Sequence, residues 1–226
     1  MKKEFNKYGF SITEKQAEKF EKYYELLTFY NKKFNITAIT DKEEIIKKHF
    51  IDSIYTDSYI IDGKVIDVGA GGGFPSVPLK IINDGLFLTL LEATGKKCEF
   101  LKTLVRELDL ENTEVINERA EILAKDVKYR EKYDFAVSRA VARLNTLSEY
   151  CMPFVKIGGR FIAYKGDAEE EIKEAKTAVE TLGGKIIKTE KYDLSGDKRT
   201  LVFIQKIAAT DKKYPRGNGK ERKCPL

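Results

Sequence analysis

The residues best suited to chemistry in this chain of 226 residues cluster in one short run, Asp67-Val68-Gly69-Ala70-Gly71-Gly72-Gly73-Phe74-Pro75. Glycines at this density let the backbone turn sharply and approach a ligand closely, because no Cβ stands in the way. The flanks then narrow the ligand. A dinucleotide fingerprint needs G-x-G-x-x-G, with its third glycine where helix and strand pack closely. Here Gly69 and Gly71 fill the first two places and Phe74 stands in the third. A P-loop ends in Gly-Lys-Ser/Thr, which this run lacks. Asp67, two residues before the first glycine, disfavours a pyrophosphate so close by. It can instead accept from an ammonium or a water network near a cationic ligand. Glu92 follows Gly69 by twenty-three residues, where an acidic side chain takes both hydroxyls of a ribose. NAD sites use the same device, so the pair argues for an adenosine-type ligand, zwitterionic or cationic, without naming it.

The elements that must position these residues follow from the hydrophobic spacing. Residues 14–34 return Ala17, Phe20, Tyr24, Leu27 and Phe34 every three or four positions, which predicts a helix. A second helix begins near Thr40-Asp41-Lys42-Glu43, which has capping-box spacing, and runs through Ile46, Phe50 and Ile54. Beyond Gly63, short apolar strands alternate with helices, the pattern of a parallel sheet. Strands are expected at 64–68, 86–91, 113–117, 134–138, 160–164, 185–191 and 199–206. Helices are expected at 75–83, 96–109, 143–156 and 168–182, with a weaker one at 119–128. Ser195-Gly196-Asp197 turns the last two strands into an antiparallel pair. The expectation is a doubly wound α/β sheet of seven strands, mostly parallel with one reversed, the glycine loop following the first strand. Three segments result: a helical appendage over 1–60, a ligand-binding domain over 61–210, and a basic arm over 211–226.

The fourth expected strand ends in Ser138-Arg139-Ala140. Neither a Pro-Pro pair nor a Cys nucleophile stands there. Cys151 falls inside the following helix and reads as core. An Arg at the mouth can hold a base edge, a phosphate or the ligand's carboxylate end. Lys165, ending the fifth strand, reads either as a phosphate or base contact or as a snorkelling lysine. His49 and Asp52 lie three apart on the second helix and share a face. That face either meets the pocket or RNA, or serves to orient the appendage.

Composition bounds the rest. Lys and Arg number 41 against 36 Asp and Glu, with one His and three Cys. Cys98, Cys151 and Cys224 are far apart and odd in number, which fits neither a disulfide framework nor a metal site and implies a reducing compartment. No metal is expected, nor any membrane span or secretion signal. Residues 1–60 carry a net +1, 61–210 a net zero, and the last sixteen residues a net +4. With Pro215, Gly217, Gly219 and Pro225, that tail is expected to form no helix or strand of its own and to run as an arm over a surface. It reads either as solvated or as a phosphate-contacting arm, with Lys213, Tyr214 and Arg216 against a polyanion.

The carboxylate, glycine loop and ribose acid together resemble the S-adenosylmethionine (AdoMet) site of class I methyltransferases, whose sheet ends in a reversed seventh strand. The resemblance sharpens over nearly the whole chain. Asn35-Ile36-Thr37-Ala38-Ile39, His49-Phe50-Ile51-Asp52-Ser53, the glycine loop, Lys96-Lys97…Phe100-Leu101, Arg119-Ala120-Glu121, Ser138-Arg139-Ala140-Val141-Ala142, Lys165-Gly166 and Lys213-Tyr214-Pro215-Arg216 stand in the order seen in the RsmG (GidB) family. The resemblance implies an AdoMet-dependent enzyme that methylates N7 of one guanine in 16S rRNA of the small ribosomal subunit, within the decoding region. It also implies a cytoplasmic protein, expected as a monomer. Carried over, Asp67, Gly69, Gly71 and Phe74 form the cofactor loop and Glu92 meets the ribose. Ala120 and Glu121 sit beside the adenine, and Arg139 belongs to the cofactor site. Lys165, Lys213, Tyr214 and Arg216 become RNA-contact candidates, with Arg139 and Lys165 positioning substrate. No catalytic base is required, because guanine N7 has no proton to remove. Family members often carry Asp at the Glu92 position, so Glu lengthens the reach. Two rivals stay open: an NAD-dependent oxidoreductase, against which Phe74 counts, and a ribosome-assembly factor that binds RNA without turnover.

Overall fold

The computed structural model describes residues 1–60 and 62–226. Its strands are β1 (Lys64–Val68), β2 (Phe87–Glu92), β3 (Thr113–Asn117), β4 (Tyr133–Arg139), β5 (Val155–Lys165), β6 (Gly184–Leu194) and β7 (Asp197–Lys206). They form one sheet in the order β3-β2-β1-β4-β5-β7-β6, with β7 antiparallel to both its neighbours. The helices are α1 (Lys2–Lys7), α2 (Glu14–Asn31), α3 (Lys42–Ile45), α4 (Asp52–Ile54), α5 (Ser76–Ile82), α6 (Gly95–Glu107), α7 (Ala120–Leu123), α8 (Leu144–Cys151), α9 (Glu169–Thr181) and α10 (Lys220–Lys223). Between α3 and α4 the chain stays helical but widens to a π-helix at Ile46–Ile51.

The expected doubly wound α/β sheet is present, and its strand order places the chain in the class I methyltransferase fold. Alternation along each strand divides the core into two layers. Val65, Leu88, Val137, Ile162 and Phe203 face the layer that includes Phe20, Tyr23, Phe50 and Phe100. Ile66, Leu91, Ala136, Phe161 and Val202 face the layer holding Leu147, Phe154, Val179 and Tyr214. The N-terminal helices therefore share a core with one face of the sheet. Ser195 (φ +53°) and Gly196 (φ +92°) both take left-handed backbone between β6 and β7. That is the two-residue turn whose twist matches paired strands.

Several boundaries differ from the sequence expectation. Strand β5 begins at Val155 rather than 160, because its pairing with β4 is interrupted by a bulge in which Gly158 takes φ +86°. The helix expected over 143–156 gives way at Met152 to a 3-10 turn containing Pro153. The second helix is capped by Asp41, whose side chain accepts from the Glu44 amide at 3.0 Å, and not by Thr40. A capping box stands instead at Thr13 and Gln16.

The tail departs most from its expectation. It carries the short helix α10, where no helix was expected, and it is anchored by buried side chains rather than solvated. Tyr214 is buried in the second core layer. Arg216 grips the buried Glu149 carboxylate through Nε (3.0 Å) and Nη2 (2.7 Å). Arg130 donates to the carbonyls of Thr210, Asp211 and Tyr214. A buried carboxylate requires a partner, and charge counting along the tail cannot see that Glu149, sixty-seven residues away, claims Arg216.

Candidate active site

At the C-terminal ends of β1, β2 and β4 the glycine loop floors a cleft of about 570 Å³. The loop is held from beneath. Gly69 and Ala70 donate their amides to the Leu91 carbonyl at 2.8 and 3.0 Å. Tyr23 on α2 donates its hydroxyl to the Gly72 carbonyl at 2.5 Å. Gly69 takes φ +78°, and a Cβ there would stand 2.6 Å from Val141. Gly71 takes φ +56° with no such neighbour, its nearest atom being the Gly69 carbonyl at 3.8 Å. The first glycine is thus required by packing as well as conformation, the second by conformation alone.

Asp67 departs from its expected place. It is fully buried below the loop, outside the cleft lining, and accepts from the Ser76 hydroxyl at 2.6 Å at the start of α5. Among the described residues its Oδ1 makes no hydrogen bond. Burial pushes its carboxyl up to about 7, against the Ser76 contacts that pull it down. Asp67 therefore ties the first strand to the following helix, and the carboxylates that line the cleft lie elsewhere.

Glu92 is one of them. Its Oε2 accepts from the Gly71 amide at 2.9 Å and its Oε1 from the Thr94 amide at 2.8 Å. Both oxygens are oriented by backbone, and each keeps a second lone pair for a hydroxyl donor. Ala120 and Glu121, from the short α7, line the next stretch of the cleft, and Glu121 accepts from Arg119 Nε at 2.7 Å. Phe74 lines it too, stacked against His49 (4.4 Å between ring centres) and Tyr23 (5.3 Å). The aromatic at the third fingerprint position is therefore the seat on which the N-terminal helices rest, a use that a dinucleotide glycine cannot serve.

Arg139 ends β4 with its guanidinium set in a built bed. Nη1 donates to Asp52 Oδ2 at 2.8 Å and to the Lys48 carbonyl at 3.0 Å, and Nη2 meets His49 Nδ1 at 3.1 Å. Since arginine only donates, His49 Nδ1 accepts, so Nε2 carries the ring proton and donates to Thr37 Oγ1 at 2.8 Å. Burial, and then the Arg139 charge, hold His49 down to about 3, so the ring is neutral. Asp52 is buried and also accepts from Tyr192 (2.8 Å) and pairs with Arg199 (3.3 Å). The π-helical widening carries both Lys48 and His49 to the arginine, a common place for such a turn. His49 thus lines the cleft itself, and Asp52 acts on it through Arg139. Ala140 just beyond it takes φ +58°, which costs a non-glycine residue free energy and is typical of functional loops.

Lys165 does not line this cleft. It lines a neighbouring hollow, pairing with Glu171 at 2.7 Å. Lys213 is exposed beside Asp211. Tyr214 and Arg216 are held in the tail packing described above. Conversely, Ile36, Thr37, Tyr150 and Arg222 line the cleft, though the sequence reading gave them no role there. The first two belong to a family-like motif without an assigned chemistry. By sequence Arg222 is only one of the tail's basic residues.

Such an arrangement binds and aligns. It offers carboxylates for hydroxyl and amino groups, a fixed guanidinium, and no side chain poised as a base. Among the described residues no three His, Cys, Asp or Glu side chains are grouped to hold a metal ion, and no helix is long and apolar enough to cross a membrane.

Comparison with known proteins agrees with this architecture. Residues 16–202 match the GidB family model, described as rRNA small subunit methyltransferase G. The chain is 45% identical to ribosomal RNA small subunit methyltransferase G of Lactobacillus johnsonii, covering 99% of this chain and 97% of that protein. The corresponding protein of Acetivibrio thermocellus is 46% identical over 97% of this chain and 92% of its own length. Among solved structures, M. jannaschii TYW2 in complex with AdoMet superposes with a TM-score of 0.59 at 17% identity, over 76% of this chain and 81% of that one. A putative S-adenosyl-L-methionine-dependent methyltransferase from Methanococcus maripaludis gives 0.55 at 17% identity, over 73% and 90%.

Proposed function

This chain belongs to the GidB family of small-subunit rRNA methyltransferases, and from that premise we propose that it transfers the methyl group of AdoMet to N7 of one guanine in 16S rRNA. The substrate is the small ribosomal subunit or its rRNA, in the decoding region. The enzyme acts in the cytoplasm as a monomer, without a metal. The observation that carries the reading is the cleft itself, with a glycine floor, backbone-oriented Glu92, Glu121 beyond it, and a caged arginine at the mouth.

The residues present fit AdoMet. Glu92, its oxygens fixed by two backbone amides, would take the ribose hydroxyls, and Glu121, lining the cleft with Ala120 beside it, would meet the adenine amino edge. Arg139, held by Asp52 and His49, is a rigid cation for the methionine carboxylate or for the acceptor base. When bound, AdoMet supplies a sulfonium methyl: the N7 lone pair forms the N–C bond, the C–S pair stays with sulfur, and no proton leaves. Neutral His49 and fully engaged Asp52 suit such an acceptor, since neither is placed to remove a proton. The chain's own contribution is alignment, which can supply several kcal/mol of barrier reduction, roughly 7–11 in the best cases.

Thermal unfolding with AdoMet and with NAD tests the cofactor. Only a ligand of the folded state raises the midpoint, by an amount that grows with its concentration over Kd. AdoMet should raise it and NAD should not. A shift with NAD alone would return the oxidoreductase reading.

A further inference from the structure

Beside the cofactor cleft lies a second hollow of about 290 Å³, and His49, Arg139 and Ala140 line both. Its other walls include Ile39, Lys48, Tyr164, Lys165, Glu171 and Arg199. It combines an aromatic, an aliphatic and several donors with two carboxylates, Asp52 and Glu171. Glu171, on the first turn of α9, faces the end of β5 and the start of α8. Its Oε2 accepts from Lys165 Nζ at 2.7 Å and from the Leu144 amide at 3.0 Å. Lys165 donates also to the Ala142 carbonyl at 2.8 Å. Among the described residues Glu171 Oε1 makes no hydrogen bond. One carboxylate oxygen is therefore fixed by two donors while the other is available, and Lys165 keeps one of its three protons.

We propose that this hollow receives the acceptor base, with Glu171 Oε1 accepting from the N1–H and 2-amino group of guanine and Lys165 donating to O6. The inference rests on the guanine-N7 reading above and adds the residues that choose the base. On the purine edge O6 lies between N1 and N7, so a base read at N1 by Glu171 presents N7 to the wall shared with the cofactor cleft. As N7 takes the methyl, the ring gains a positive charge, and a carboxylate opposite N1–H stabilises it more than it stabilises the neutral base. Adenine would place the N1 lone pair against Oε1, a repulsive contact that specificity can exploit.

The test uses the full-length enzyme, AdoMet, and small subunits reconstituted with guanosine or inosine at the methylated position. Inosine lacks the 2-amino group. Wild type should prefer guanosine about tenfold in kcat/KM, the scale of a single base-edge hydrogen bond. In Glu171→Gln, Lys165 and the Leu144 amide both donate, so they hold the amide oxygen at the Oε2 place. The –NH2 then replaces Oε1 and faces the base with donors. This variant keeps both anchoring bonds. It should bind AdoMet as wild type does, lose roughly 10²-fold in transfer to guanosine, and show less than about twofold preference between the two bases. A Glu171→Gln enzyme that keeps the tenfold preference, or a wild type that lacks it, overturns the base pocket while leaving guanine-N7 methylation standing. A wild type that forms no 7-methylguanosine overturns both.

Discussion

At the scale of single residues, the loop glycines and the aspartate beneath them make separable predictions. Gly69→Ala places a Cβ 2.6 Å from Val141 at φ +78°, whereas Gly71→Ala meets only the left-handed strain at φ +56°. Strain alone costs on the order of 1–2 kcal/mol. Calorimetry should therefore show a small fall in midpoint for Gly71→Ala and a clearly larger one for Gly69→Ala, which must also push Val141 from the cleft wall. Equal losses would show that Val141 yields freely. Asp67 predicts a pH dependence. Its folded-state value of about 7 lies above that of the unfolded chain, roughly 4 for an aspartate. The folded protein then holds the extra proton between those values, so this group's contribution to stability falls as pH rises across that window. Asp67→Asn removes the titration. Denaturant unfolding at pH 5 and pH 8 should show the variant gaining relative to wild type at the higher pH. A pH-independent difference would mean Asp67 titrates normally.

At the scale of elements, the tail is where reading the sequence and seeing the fold part company. Arg216 shields Glu149 from burial without a partner. Arg216→Ala should therefore destabilise the protein by about 3–5 kcal/mol, measurable by urea unfolding. The exposed cations are the ones left for a polyanion. Replacing Lys212, Lys213, Lys220 and Lys223 by Gln should leave stability nearly unchanged. It should also lower the slope of log Kd for rRNA against log salt by roughly 0.7–0.9 for each phosphate that is no longer neutralised. An unchanged slope would mean that these lysines are only solvated. What was legible locally came out as read: strand alternation, the β6–β7 turn, and the glycine loop after β1 depend on neighbours in sequence. What was not legible depends on partners far along the chain. Glu149 for Arg216, Tyr23 for Gly72, and Asp52 and His49 for Arg139 are each fixed only when the elements dock. The weaker helix expected over 119–128 shortens to the four residues of α7, and the widening of the second helix into a π-turn gives no signal of its own, because a single turn is too short to show a period. Asp67 stands two residues before the first glycine, where a carboxylate can accept from a cationic ligand, and only the packed sheet shows it buried.

At the scale of the whole molecule, the N-terminal helices, the sheet and the tail converge on one cleft. Ile36, Thr37 and His49 come from the first, Glu92 and Arg139 from the second, and Arg222 from the third. Each region is also tied to the others by buried contacts, Tyr23 and Phe50 on one side of the sheet and Tyr214 on the other. A cleft assembled from all three, with an oriented cation and no base, is an instrument for positioning an acceptor that already carries its lone pair. The most direct test of that claim is methyl transfer from labelled AdoMet to small ribosomal subunits taken from cells lacking this gene, with the RNA then digested to nucleosides. The account predicts label in 7-methylguanosine from 16S rRNA. Label in an exocyclic-amine or carbon-methylated nucleoside, or none in RNA while AdoMet still binds, would contradict it.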